Sequence, residues 1–475
     1  MSVSSLKATE AEIAAKAAAA RRASQVWSRN TIAQRVRALR SLWRALAHRR
    51  EEIAFVVNED IGKPFVEFEL MEFAVAGLLV NWMTSAAERV LGDKGVRRPW
   101  IFFNKRAYER RVPYGVVSVI TPWNMPFLIP FGDAFAAMLA GNSVLLKPSP
   151  HATKTALWLE AAVAATGFLP EGIFSVVSGD AETGERLVDA ADLTLFTGSA
   201  KTGRAVAGRA ASQLKPAILE LGGKHSMIVL GDAPLERAAA AAVWGACANS
   251  GQLCVSIERI FVEAGVYDRF VELLRPRVSA LRASPDGRGA DLGRLALPAG
   301  LERVVSQLED ARQKGARVIG GDILDREKLL LSPALVVDAR LDMRVMLEET
   351  FGPVIAVMRV AHAEEAVALN NAGAEGLSAS VWTNDLAKGE RLAALLEVGM
   401  VGVNEPATHY AFGGLPFGGM KQSGIGRRHG DQGLLALTQA QSVIVHEWPS
   451  SGSDPWWFPY DEVKSGFLRR LLGLP

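Results

Sequence analysis

The sequence predicts an α/β fold of parallel sheets with covered faces, and three observations carry that prediction. Short β-branched runs alternate with helical stretches from Gly115 onward. The alternation resumes after Leu221-Gly222-Gly223, where two glycines allow a change of direction. A chain of 475 residues, 49% hydrophobic and 22% charged, has the apolar side chains to fill two or three domains.

Residues 8–95 read as mostly helical. Ala-rich segments interleaved with Arg and Glu run through Arg22, Leu39, Trp43 and Leu46, then through 53–60, and a long segment spans 67–90. Gly62-Lys63-Pro64 reads as a break between helices. The stretch 100–111 changes character: Ile101, Phe103 and Tyr108 alternate in part with polar residues, as in a half-exposed strand that pairs with a partner chain or forms a local hairpin. Strands are then expected at 116–120, 143–146, 174–177, 193–196 and 217–219, with helices at 129–140, 153–166, 181–190 and 202–212 between them. In the second half strands are expected at 226–230, 259–262, 354–360, 377–382 and 400–404, and helices at 235–248, 267–283, 301–314 and 362–371. No internal repeat is evident.

The formal net charge of +2 gives no reason to expect nucleic acid or an acidic surface as partner. The pairs Arg49-Arg50, Arg110-Arg111 and Arg427-Arg428 read as solvated faces or local salt bridges. Two cysteines, Cys247 and Cys254, make neither a disulfide framework nor metal-ligand spacing, so no metal is expected and a reducing compartment, cytoplasmic by default, fits. No apolar run approaches the roughly 18 residues of a membrane span. Residues 1–27 carry Glu10 and Glu12 and no contiguous apolar core, which favours an amphipathic helix over a signal peptide. A membrane is not an expected partner.

Chemistry concentrates at a few corners. The run Asn249-Ser-Gly-Gln-Leu-Cys254 reads as a helix end and a turn before a strand, where a thiol is reactive and backbone N–H groups face a substrate; a buried core cysteine is the plainer alternative. The run Phe196-Thr-Gly198-Ser199-Ala-Lys-Thr-Gly203 lies between a strand and a helix. Its glycines let a backbone approach a phosphate at the helix N-terminus, or simply make a turn, and the spacing is neither Gly-x-Gly-x-x-Gly nor a P-loop. Ile120-Thr121-Pro122-Trp123-Asn124-Met-Pro126 ends another strand. It sets Asn124 as an oxyanion donor or as a helix cap. Glu220, at the end of an apolar strand before Leu221 and Gly222, is a candidate general base with a raised pKa, or a solvated loop acid.

Together these residues resemble the aldehyde dehydrogenase superfamily over about residues 10–448. The matched stretches are Thr121-Pro-Trp-Asn-Met-Pro126, Leu146-Lys-Pro-Ser149, Phe196-Thr-Gly-Ser199 with Gly203, Leu219-Glu-Leu-Gly-Gly-Lys224, Gly251-Gln-Leu-Cys254, Glu348-Glu-Thr-Phe-Gly-Pro353 and Pro416-Phe-Gly-Gly-Met-Lys-Gln-Ser-Gly424. They stand in the family's order, with Glu220 and Cys254 34 positions apart as is usual there. The resemblance implies a Rossmann-type cofactor domain (1–97 and 115–221), a second α/β catalytic domain (222–423), and a small β oligomerisation segment with a tail (98–114 and 436–475). It implies a homodimer or homotetramer, with 98–114 and 440–448 as contacts.

It also implies NAD(P)-dependent oxidation of an aldehyde to the acid. Cys254 attacks the aldehyde, Asn124 and the Cys254 N–H hold the oxyanion, and Glu220 activates water for thioester hydrolysis. For the cofactor, NAD or NADP, the resemblance assigns Lys147 to the adenosine ribose and Glu349, with Phe351 packed beside it, to the nicotinamide ribose. It sets Trp123 and Ser199 at the pyrophosphate region. Ile120, Thr121, Pro122, Gly198, Gly203, Leu221 and Gly222 complete the implied cofactor site.

Two departures carry information. Pro150 stands where many NAD-preferring members have a ribose-binding glutamate, which opens the site to NADP. Glu375 replaces a frequent aromatic. Apolar Leu253, Val255, Met125, Phe127 and Trp244 predict a hydrophobic substrate tunnel; His409-Tyr410, in the loop that the resemblance sets at the substrate entrance, is a polar contact or loop surface, with surface preferred. The tail, 454–460 and 466–475, extends past the usual family end; subunit packing, closure of the substrate entrance and membrane contact are its three alternatives, with subunit packing preferred. The competing functions are a CoA-acylating or semialdehyde-specific member of the same fold, a cysteine hydrolase with a histidine partner for Cys254, and a catalytically silent relative.

Overall fold

Two sheets of parallel strands dominate the structure, a computed structural model that describes residues 7–448, 452–454 and 456–473. The first has six strands in the order Gly424–Ile425, Ala217–Glu220, Leu193–Thr197, Val116–Ile120, Ser143–Lys147, Phe174–Val176. All pairs are parallel except the two-residue edge strand Gly424–Ile425, which lies antiparallel on Ala217–Glu220. Val116–Ile120 and Ser143–Lys147 are buried at every position, as strands covered on both faces must be. Chain order reverses between Val116–Ile120 and Leu193–Thr197, so a crevice opens beyond Ile120 and Thr197.

The second sheet has seven strands in the order Arg317–Gly320, Ala334–Val337, Val354–Val360, Ile257–Glu263, His225–Val229, Ser378–Trp382, Met400–Val403. Only Arg317–Gly320 is antiparallel to its neighbour. The strands Arg317–Gly320, Ala334–Val337 and Gly424–Ile425 and the helices Leu386–Ala393 and Gly430–Leu435 were not among the expected elements; each is short, with too few residues for a periodic pattern.

The N-terminal helices start where their caps dictate. Thr9 with Glu12 and Thr31 with Gln34 form reciprocal capping boxes for Glu10–Trp27 and Ile32–Ala47. Gly62, at φ 72°, ends Arg50–Ile61 in the left-handed conformation that glycine adopts without strain. The next helical run, Phe65–Leu91, includes a π-helical turn, Phe68–Phe73. By length and composition alone this run could cross a membrane, contrary to the expectation that no segment approaches that length. Its apolar face is instead the core of the fold, with Leu79, Val80, Ala87 and Val90 at 1% exposure or less.

Contacts divide the chain into two compact units. One runs to Leu91 and resumes over Pro113–Gln439, taking in both large sheets. The other comprises Gly92–Val112 and the chain from Ala440. Its core is a three-stranded sheet in the order Lys94–Val96, Lys105–Pro113, Thr438–His446. The tail folds onto it: Lys105 Nζ donates to Asp454 at 2.7 Å, and Trp456 meets Phe102 edge-on at 5.0 Å. The tail ends in the helix Glu462–Leu472, capped by Asp461. Expectations for residues 1–6, 449–451, 455, 474 and 475 lie outside the described residues. Val96, Trp100, Phe103, Ile444, Phe458 and Val463 of this unit are exposed.

Candidate active site

The turn that carries Cys254 is strained and heavily braced. After the helix Leu235–Cys247 the chain passes through Asn249 (φ 52°), Ser250 (φ 55°) and Gly251 (φ 73°), three successive left-handed residues. Left-handed non-glycine residues cost about 1–3 kcal/mol each and persist only when their surroundings over-determine them. Here Asn249 N donates to Glu67 Oε1 at 2.6 Å, Asn249 Nδ2 donates to the Asn124 and Gln252 carbonyls, and Ser250 Oγ donates to the Gly293 carbonyl. Gly251 has no room for a side chain, since a Cβ would come within 2.1 Å of the Gly352 carbonyl oxygen. Cys254 emerges half-buried at the end of this turn. Burial pushes its thiol up to about 12, with the Glu220 and Glu349 carboxylates adding to the shift.

Asn124 is fixed from two sides. Its Nδ2 donates to the Gln252 carbonyl at 2.9 Å, leaving the second N–H of the amide to point elsewhere, and its backbone carbonyl accepts from Lys63 Nζ at 3.1 Å. Lys63 is fully buried and ion-paired with Glu72, which the π-helical turn brings inward. The second Glu72 oxygen accepts from the N–H groups of Phe127 and Leu128, each at 2.9 Å. Gly62-Lys63-Pro64 is therefore more than the break expected there: its lysine ties two helices to the Asn124 loop.

Glu220 closes the strand Ala217–Glu220, buried, with neither carboxylate oxygen hydrogen-bonded among the described residues. Burial pushes it up to about 8; Arg428 and Arg427 pull it down and Asp133 pushes it up. Gly418 leaves it room, since a Cβ there would come within 2.7 Å of Oε1. Arg427-Arg428 was expected on a solvated face or in a local salt bridge. Arg428 instead is 4% exposed, pairs with Asp133 at 3.0 Å and donates to Thr197 Oγ1.

One cavity of about 910 Å³ brings Cys254, Asn124 and Glu220 together with Pro122, Trp123, Gly198, Ser199, Leu221, Gly222, Glu349 and Phe351. It opens at the crevice beyond Ile120 and Thr197. Gly198 and Gly203 lie at the start of the helix Ala200–Ala211, where a Cβ would meet Phe196 at 2.7 Å and Leu221 at 2.5 Å, and Ser199 caps the helix by accepting from Thr202 N–H. The Glu349 loop is locked from below: Glu258, ion-paired to Lys224 at 2.7 Å, accepts from the N–H groups of Thr350 and Phe351. Phe351, at φ 52°, meets Trp123 edge-on at 5.7 Å. Burial and Glu258 raise Glu349 to about 7.

Ile120, Thr121, Lys147 and Gly203 are not among the residues that line this cavity. Lys147 is buried beside Gly184, donates to the Pro148 carbonyl at 2.9 Å, and is lowered by burial to about 8. Thr121 Oγ1 is buried without a partner among the described residues. Gly198 and Ser199 at a helix start and the Glu349 carboxylate, all lining the cavity, fit a dinucleotide.

A second cavity, about 1140 Å³, also reaches Cys254 and Asn124. Its walls are mostly apolar, with Leu70, Met71, Val75, Leu78, Met125, Leu128, Trp244, Leu253, Val255 and Phe417 among them and no lysine or arginine. Phe127 is not among them; it stacks on Phe131 at 5.2 Å in the core. Tyr410, expected on the loop surface, lines both cavities and packs edge-on against Phe417 at 4.7 Å. Lys63, Glu72, Asp133 and Arg428 are the site residues that sequence reasoning missed.

With this geometry in hand, comparisons with known proteins are specific. The model of the aldehyde dehydrogenase family matches residues 2–443. A 4,4'-diapolycopene aldehyde oxidase from Methylomonas is 39% identical over 459 residues, 95% of this chain and 86% of that protein. A relative from Mycobacterium ulcerans, provisionally named as a succinate-semialdehyde dehydrogenase acting with NADP, is 34% identical over 92% of this chain and 85% of its own length. The solved aldehyde dehydrogenase of Mycobacterium tuberculosis in complex with NAD+ superposes with a TM-score of 0.87 at 33% identity, covering 94% of this chain and 92% of that one. Fold, motif order and the paired cavities at Cys254 agree with one assignment: the chain belongs to the aldehyde dehydrogenase family, enzymes that work with NAD or NADP.

Proposed function

We propose that the protein oxidises hydrophobic aldehydes, aliphatic or aromatic, to carboxylic acids with Cys254 as nucleophile. The observation that carries this is the position of Cys254 and Asn124, which line both the polar and the apolar cavity. An aldehyde tail in the apolar cavity presents its carbonyl carbon to Sγ. Without lysine or arginine on that cavity's walls, a semialdehyde carboxylate finds no counter-charge there, so charged substrates are disfavoured.

The Cys254 sulfur bonds to the carbonyl carbon as its thiol proton passes to solvent water, giving a thiohemiacetal oxyanion that accepts from the second N–H of the Asn124 amide and from the Cys254 backbone N–H. When bound, NAD or NADP supplies a cationic nicotinamide, the hydride acceptor for this carbon. The acyl group is left as a thioester on Cys254. Glu220, with both oxygens unpaired by hydrogen bonds, takes a proton from water as it attacks, and the C–S bond breaks to release the acid and the thiol. A free water-activating carboxylate favours hydrolysis over transfer to CoA. Pro150, at the start of the 3₁₀ turn Pro150–Ala152 after Lys147, neither accepts ribose hydroxyls nor repels a 2′-phosphate, which supports use of both cofactors. The three-stranded unit, with Val96, Trp100 and Ile444 exposed, we assign to subunit pairing in a dimer or tetramer.

Reduction of NAD and NADP over an aldehyde panel tests the assignment. Cys254→Ala is expected to abolish it, and Glu220→Gln to leave an initial burst followed by slow turnover. Full reduction by Cys254→Ala would sink the mechanism, and ester hydrolysis without any cofactor reduction would favour a hydrolase.

A further inference from the structure

A buried ion pair stands behind Glu220 with no role in the steps above. Asp133 is the one charged residue of the helix Leu128–Leu139, and its carboxylate lies 3.0 Å from Arg428 with both side chains buried. Arg428 is held rigidly: its backbone exchanges hydrogen bonds with Phe417 at 2.7 and 2.8 Å, and its guanidinium donates to Thr197 Oγ1. Thr197 is the register partner of Glu220, and Gly198 N donates to the Glu220 carbonyl at 3.0 Å. Arg428 thus forms a wall shared by two cavities, the polar one lined by Glu220 and Cys254, and a smaller one of about 410 Å³ lined by Asp133. The guanidinium paired with Asp133 also lines the cavity that holds Glu220.

The consequence follows from the cost of buried charge. A carboxylate left alone in such a site stays protonated, and one facing an unshared guanidinium becomes a permanent anion. Neither suits a group that takes up and releases a proton in every turnover. We propose that Asp133 and Arg428 are positioning residues that keep Glu220 between these extremes: Asp133 pairs with the guanidinium on the wall of the cavity that Glu220 lines and neutralises part of its charge. This rests on the assignment of Glu220 as the base. The titratable and charged groups near Glu220 or lining its cavity are Arg428 and Arg427 from the 426–430 segment, Asp133 from its helix, Cys254 from its turn, Tyr410 from the 3₁₀ turn Thr408–Ala411, Arg303 from the helix Pro298–Gln313 and Glu349 from its loop. Arg427 donates to the Gly419 and Gly426 carbonyls, whereas Arg428 is the one whose charge is shared with Asp133.

Two variants pull in opposite directions. Asp133→Asn frees the guanidinium for Glu220 and should lower the pH at which Glu220 ionises by about one unit. The double variant Asp133→Asn/Arg428→Met removes the pair whole, a change buried pairs often tolerate, and should raise it by about one unit. The readout is the carboxyl stretch of Glu220 in infrared pH titrations of protein labelled with 13C-glutamate, with Glu220→Gln identifying the band. The pH profile of thioester hydrolysis is measured alongside. A midpoint that stays in place in both variants, or moves the same way in both, overturns the proposal. A band that shifts as expected while the hydrolysis profile stays put upholds the coupling and removes Glu220 as the base. Loss of hydrolysis in Glu220→Gln with an unmoved band does the reverse.

Discussion

Lys63 donates from its ammonium to the backbone carbonyl of Asn124, across 3.1 Å of fully buried space. The residue that holds Asn124, the proposed oxyanion donor, in place is thus a lysine 61 positions earlier, neutralised by Glu72. Breaking one member of a buried pair strands the other charge, at about 3–5 kcal/mol. Lys63→Met should therefore lower stability by that amount in urea unfolding. The charge-free double variant Lys63→Met/Glu72→Gln should recover part of it. A single variant as stable as the parent would contradict the pairing.

Glu220 gives the enzyme a pH signature of two kinds. Its pKa of about 8 lies far above the ordinary carboxylate range, and a base works only when deprotonated, so thioester hydrolysis should rise with pH through about 8. Between the ordinary range and about 8 the folded protein keeps a proton that the unfolded chain has released, so this group's contribution to stability falls as pH rises across that window. Glu220→Gln lacks that loss. Its melting temperature relative to the parent should be higher at about pH 9 than at about pH 5. Parallel melting curves at both pH values would contradict the raised pKa.

The apolar cavity sets a size rule. Each methylene removed from water contributes about 0.8 kcal/mol, so kcat/KM for straight-chain aldehydes should rise about fourfold per added carbon until the cavity is filled. Succinate semialdehyde should fall well below an uncharged aldehyde of the same length. A flat series, or a preference for the semialdehyde, would exclude a hydrophobic substrate.

For the cofactor, kcat/KM with NAD and NADP should agree within about tenfold, a difference of about 1.4 kcal/mol. A preference for NAD of several hundredfold would show that Pro150 does not decide the matter. Replacing Pro150 with Glu should shift the ratio toward NAD, as a carboxylate repels the 2′-phosphate.

The first sheet was legible almost to the residue, because its strands are continuous apolar runs between helices of clear periodicity: 116–120 was expected and Val116–Ile120 is observed. Ala334–Val337 and Gly424–Ile425 were not, since runs of four and two residues are too short to show a period. Cys254, Asn124, Glu220 and Glu349 carry their own chemistry at conspicuous corners, and they do line one cavity. Arg428 was missed for a physical reason. A basic pair in a loop looks solvated until the fold returns it beneath a sheet edge, and its burial depends on pairing with Phe417, a contact no local pattern encodes. The available clue was Asp133, a single acid in a helix otherwise apolar throughout. Glu72, buried by a π-helical turn, offered a weaker clue of the same kind.

The two cavities that meet at Cys254 have a kinetic corollary. With the dinucleotide in one cavity and the aldehyde in the other, as proposed, neither blocks the other's door, and both can be aboard before any bond is made. Initial-rate plots should then intersect rather than run parallel. The acid can also depart along the greasy passage by which its parent entered, while the reduced carrier still occupies its own berth.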